Sequence, residues 1–127
     1  MSKFSDFLED KILNITLKGA TAYNCSTPYV ELYTANPSDS GGGTVLADAN
    51  YVIQAVTFGT VSGGAVSNSA AVTYPALNAG ATITGMAIFD DASSTNMLYW
   101  APLDASVTLS AGNIFSIAVG DLTVTLD

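Results

Sequence analysis

The sequence predicts a mainly β protein: an antiparallel β-sandwich or jelly roll of about eight or nine short strands with one N-terminal α-helix. Three observations support this. From Gly19 onward, apolar stretches recur at roughly 8 to 12 residue spacing between Gly, Asn, Asp and Pro turns. Helical periodicity occurs once, before Gly19. And the stretch 84–103 holds two apolar runs, 86–89 and 97–100, around a polar middle of Asp90, Asp91, Ala92, Ser93, Ser94, Thr95 and Asn96. That middle predicts a hairpin loop, and arms with so little alternation suit strands covered on both faces. The organisation expected is a helical segment, 1–19, followed by a sandwich domain, 20–127.

Taken in order, residues 3–18 place Phe4, Phe7, Leu8, Ile12 and Ile15 on one helical face. Acids lie early and Lys18 late, matching the helix dipole; Ser2 or Ser5 can cap the start and Gly19 stops it. The apolar face either plugs one end of the sandwich or docks on a neighbouring subunit. Tyr29 to Thr34 alternates as a strand entered through Pro28. Residues 35–48, with Asn36, Pro37 and the run Gly41, Gly42, Gly43, form the longest loop expected and the most mobile. Residues 51–58 are a strand; 60–61 and 65–67 flank the tight turn Ser62, Gly63, Gly64. Residues 71–74 make another strand, ended by Pro75. The focal hairpin follows, with arms 82–89 and 97–101, and Pro102 stops it. Short strands at 107–109 and 114–119 precede the last, where Leu122, Val124 and Leu126 share one face.

Composition narrows the function. Of 127 residues, 49% are apolar and only 11% charged, against about 25% charged in ordinary soluble domains. A surface so poor in charge suits a chain that meets other protein along its exterior. All basic residues, Lys3, Lys11 and Lys18, precede Gly19; beyond it the acids Glu31, Asp39, Asp48, Asp90, Asp91, Asp104, Asp121 and Asp127 stand without Lys, Arg or His. Nucleic acid needs a basic footprint and an anionic membrane would repel this body, so neither is expected as a partner. No secretory signal or bilayer-spanning run is visible.

The same shortage removes most chemistry. Without histidine there is no Ser-His-Asp or Cys-His arrangement, and lone Cys25 cannot build a zinc site or an internal disulfide. The triple glycine lacks the Lys-Ser/Thr of a phosphate loop. Asp90 and Asp91 are the nearest approach to a glycosidase pair, but adjacent strand residues face opposite ways, and turn-making is the simpler role. Calcium on the acids, Asn96 and backbone carbonyls of that loop is the remaining metal option. No enzyme activity, cofactor or metal is expected. The six tyrosines, Tyr23, Tyr29, Tyr33, Tyr51, Tyr74 and Tyr99, suit half-buried strand positions or a sugar-stacking face.

With these segments in place, the chain resembles a family of small tailed-phage virion proteins that often carry a tail-fibre label. The resemblance runs through residues 4–13 (FSDFLEDKIL), 28–37 (PYVELYTANP) with the glycine run, 54–59 (QAVTFG) and 68–75 (NSAAVTYP). It continues through 88–90 (IFD), 96–100 (NMLYW) and 120–126 (GDLTVTL). Where a basic residue is expected before Gln54, this chain has Ile53. The resemblance implies a virion structural protein made in the host cytoplasm, with no catalytic residues to carry over. A fibre shaft needs repeats or heptads, which are absent. The expectation is therefore a capsid decoration or cement subunit, a homo-oligomer and by analogy with capsid three-fold points a trimer, stabilising the head by binding the major capsid protein. The alternative is a tail or head appendage binding host-surface glycan. Candidate contacts are Phe4, Phe7, Leu8 and Ile12 on the helix, and Met86, Met97 and Trp100 in the hairpin.

Overall fold

The computed structural model describes residues 3–126, so Ser2 and Asp127 lie outside it. The chain folds mainly as antiparallel strands with one helix. The elements are β1 (Lys3–Phe4), α1 (Asp6–Lys18), β2 (Tyr29–Ala35), β3 (Thr44–Val45), β4 (Gln54–Ala55), β5 (Ala65–Ser67), β6 (Val72–Thr73), β7 (Gly80–Phe89), β8 (Met97–Ser110), β9 (Ser116–Ile117) and β10 (Thr123–Thr125). The principal sheet has the order β1-β8-β7-β2-β3, with β4 also paired to β2. Two two-stranded ribbons, β10-β5 and β6-β9, complete the architecture.

The helix begins later than its periodicity suggests. Lys3 and Phe4 pair with Trp100 and Tyr99 on the edge of β8, and the Phe4 ring meets Tyr99 edge-on at 5.4 Å. The free backbone of that edge claims them, so Phe4 leaves the helical face. Ser5 then caps α1: its Oγ accepts from the Leu8 N–H at 3.2 Å and donates to the Met97 carbonyl. Its own N–H donates to the Leu98 carbonyl at 3.0 Å. The first turn is thereby stitched to β8, while Leu13 and Leu17 further along the helix face solvent.

The second arm of the hairpin does not stop at Pro102 but continues to Ser110. Pairing shifts register there: Thr84 alone separates the pairs Ile83–Val107 and Gly85–Pro102, whereas residues 103–106 separate them on β8. A proline is tolerated where a bulge interrupts the ladder, because no donor is required of it. Elsewhere strands are shorter than expected. In 51–58 only β4 pairs regularly, and Phe58 makes an isolated bridge to Asn68. Tyr51 fills the gap between β4 and β3 along β2: its hydroxyl accepts the Leu32 N–H at 2.9 Å.

The principal sheet is covered on both faces. On one side Val30, Leu32, Ile83 and Ile88 pack with Val56, Val72, Tyr74, Leu77, Ile117 and Val124 of the ribbons and connections. On the other, Tyr33, Ala87, Phe89 and Met97 form a smaller cluster with Trp100 against it. Burial on both sides accounts for the non-alternating arms of the hairpin. Met86 belongs to the first core, Met97 and Trp100 to the second.

Candidate functional site

An open cleft of about 550 Å³ lies on the second face, between the start of α1, the 38–42 turn and the hairpin loop. Each wall has a local cause. Ser38 and Gly41 exchange two backbone hydrogen bonds at 2.9 Å, closing a tight turn. Gly41, Gly42 and Gly43 follow with φ of 97°, 77° and 78°, a left-handed run that side chains with a Cβ resist. The glycines therefore serve backbone geometry. The turn is held against the body: Asp39 Oδ1 accepts from Trp100 Nε1–H at 2.8 Å and the Asp39 carbonyl from the Asp6 N–H at 2.9 Å. The loop expected to be longest is a pinned structure at this end.

The opposite wall is the hairpin loop, built by its acids. Asp90 accepts from Asn96 Nδ2 and the Tyr23 hydroxyl, both at 2.7 Å, and from the Asn96 N–H at 3.0 Å. Asp91 accepts from the N–H groups of Ser93 and Thr95 at 3.0 Å and from the Thr95 hydroxyl. Partial burial pushes the Asp90 carboxyl upward, but the Asn96 and Tyr23 bonds outweigh it and hold it below the usual carboxylate range. The Thr95 hydroxyl and N–H do the same for Asp91. Groups kept ionised and committed to the loop are poorly suited to act as general acids. Among the described residues no three His, Cys, Asp or Glu side chains cluster to hold a metal.

The floor carries Glu31, only 7% exposed. It accepts from the Ser94 hydroxyl and, at 3.4 Å, from Tyr51. Tyr33 and Phe89 flank it and Phe7 stands at the rim. Burial, and then the Glu31 charge, push the Tyr33 hydroxyl up to about 12. Lining groups include Asp6, Asp39, Ser40, Thr95 and Asn96, and no Lys is among them. Sequence reasoning missed Glu31, whose signal was an acid between Val30 and Leu32 in an otherwise apolar strand. Cys25 is half-buried; burial and then Asp90 push its thiol upward.

The proposed contact residues are not gathered into one patch. Leu8 and Met97 are buried at 8% and 7% exposure. Phe7 stacks edge-on with Tyr23 at 5.4 Å beneath Lys11, and Trp100 lies under Lys3. Ile12 and Met86 are half-buried.

Acid–base titration of these groups sets a stability window. Asp48, Asp90 and Asp91 sit below the usual carboxylate value, Asp48 because the Ala79, Asn78 and Asn50 N–H groups point at it. Their stabilisation is present above the unfolded value of about 3.9 and is lost as pH falls through the lower folded values. Tyr23, Tyr33, Tyr51, Tyr74 and Tyr99 are raised, each chiefly by burial. Their stabilisation is present below about 10 and lost as pH rises above it. The Cys25 thiol, raised by burial and then by Asp90, begins to lose its stabilisation above about 8.5, so thermal unfolding midpoints should be flat between about pH 5 and 8 and fall outside that range. Asp48→Asn should lower the midpoint at pH 7, and the difference from the parent should shrink near pH 3.

A family model described as podophage GP4 fiber I protein gp80 matches residues 3–125. No curated protein matches the chain. The chain belongs to that family and is a phage virion structural protein.

Proposed function

We propose that this virion protein is a non-enzymatic fibre component that holds neutral carbohydrate of the host surface in the cleft above Glu31. The observation that carries the reading is the cleft itself. Its volume lies within the range of about 300–1,000 Å³ usual for ligand sites. Carboxylate, amide and hydroxyl groups surround aromatic rings, and a sugar presents both hydroxyls and an apolar face. A lining with acids and no cation disfavours sialylated or phosphorylated glycans by charge repulsion. The fibre wording of the family supports this placement over a capsid decoration subunit gripping the major capsid protein. Because the chain has no repeat from which to build a shaft, it serves as a globular unit at a joint or tip.

The test has two arms. The purified protein is screened against neutral and anionic glycans, where neutral ligands should bind and Glu31→Gln should weaken them roughly tenfold, one hydrogen bond's worth. Virions lacking the protein should then adsorb poorly while bursting at an unchanged temperature. The reverse pattern, normal adsorption with heads that burst early, would establish the decoration role instead.

A further inference from the structure

The helix α1 leaves an apolar stripe exposed among the described residues. Leu13 and Leu17 are 55% and 76% exposed; four positions apart, they lie on one face. Lys18 follows in the last turn. On the body, a groove of about 200 Å³ runs between β8 and β10, with Met86, Tyr99, Leu103 and Leu122 along its floor and Asp104 and Asp121 at its rim. It shares Ile88, Tyr99 and Val124 with a second hollow of about 220 Å³ whose walls, including Phe58, Val61 and Val66, are mostly apolar. Neither hollow shares a residue with the cleft. Lys3 lies over Trp100 at one end, and Asp104 and Asp121 are both exposed.

Charge decides the occupant. Every cation of the chain lies within residues 3–18, and the body beyond is acidic throughout. The C-terminal part of α1, where Lys18 follows the exposed leucine pair and no acid lies beyond Asp10, complements an apolar groove edged by carboxylates. We infer that a second copy of this chain occupies the groove, laying Leu13 and Leu17 of its α1 on the apolar floor with Lys18 against Asp104 and Asp121. Each copy thus offers both halves of the contact, and two copies that exchange helices reciprocally satisfy both at once in a two-fold dimer.

Sedimentation of the purified protein up to about 0.1 mM, the range in which modest contacts populate, measures the assembly. The parent should form a discrete oligomer, and Leu13→Ser with Leu17→Ser should leave a folded monomer, verified by circular dichroism. Lys18→Glu should weaken association at least roughly tenfold, and adding Asp104→Lys and Asp121→Lys should restore it, with the parental contact weakening at high salt. A monomeric parent, an oligomer indifferent to the leucine changes, or charge reversals that fail to rescue each other would overturn the inference. None of these outcomes depends on whether the cleft binds sugar.

Discussion

Replacing Asn68 with alanine should lower the unfolding free energy by about 3–4 kcal/mol, a large share of the roughly 5–15 kcal/mol typical of a domain. Asn68 is 2% exposed and uses its whole amide. Nδ2 donates to the carbonyls of Ala70 and Ala118 at 2.9 Å, and Oδ1 accepts from the N–H groups of Gly120 and Leu122 at 3.0 Å. It thus ties the end of β5 to the turn that launches β10, the strand β5 pairs with. Alanine takes the side-chain partner from the Leu122 N–H and the Ala70 carbonyl, whereas the Gly120 N–H keeps its bond to the residue-68 carbonyl and the Ala118 carbonyl its bond from the Asp121 N–H; an unsatisfied buried group costs about 1–3 kcal/mol. The thermal midpoint should drop about 10–15 °C on the usual scaling for a chain of this size. Asn68→Asp tests the assignment: it keeps the two acceptor bonds, loses both donors and buries a charge, so its deficit should grow as pH rises from 4 to 7. A midpoint within about 2 °C of the parent for alanine would show that the turn is held by other contacts.

Local patterns carried much of this fold. The tight turn at 62–65 is present as expected, with Ser62 and Ala65 bridged and Gly63 and Gly64 at φ 59° and 74°, the left-handed pair such hairpins require. The alternation of 122–126 survives as β10, with Val124 inward. Asp90 and Asp91 make a turn because short acids beside backbone N–H groups do so locally. Long-range choices were less visible. Nothing in residues 65–67 announces a partner at 123–125, since strand pairing depends on which faces the whole chain must bury. Two-residue strands such as Lys3–Phe4 carry too little period to register, and a neighbouring helical pattern absorbs them. Pro102 marks a stop only where the ladder needs its N–H, and the bulge opposite Thr84 removes that need. The cleft was the least legible feature. Its walls come from residues far apart in sequence, and Glu31 gains meaning only once β7, β8 and the 38–42 turn surround it.

Tyr74→Ala should be the most damaging single change among the tyrosines, at about 4 kcal/mol, because it removes a large buried ring and leaves a void. Tyr74 is 1% exposed. Its ring stacks on Tyr51 with centroids 5.8 Å apart and planes at 12°, and meets Phe115 at 5.9 Å. Its hydroxyl donates to the Val30 carbonyl at 2.7 Å. Tyr74→Phe removes that bond alone and should cost about 1–2 kcal/mol, so the gap between the two variants measures the packing. The consequence extends past stability. Tyr51, held by this stack, takes the Leu32 N–H and donates to Glu31, so the core on one face of the sheet positions the carboxylate on the other. A double-mutant cycle of Tyr74→Leu, which removes the stacked ring, and Tyr51→Phe, which removes the hydroxyl that meets Glu31, read both as unfolding free energy and as glycan affinity, separates the two links. Coupling in stability alone would confine the stack to the core. Coupling in both would make the buried tyrosine pair the element that sets Glu31 in the cleft.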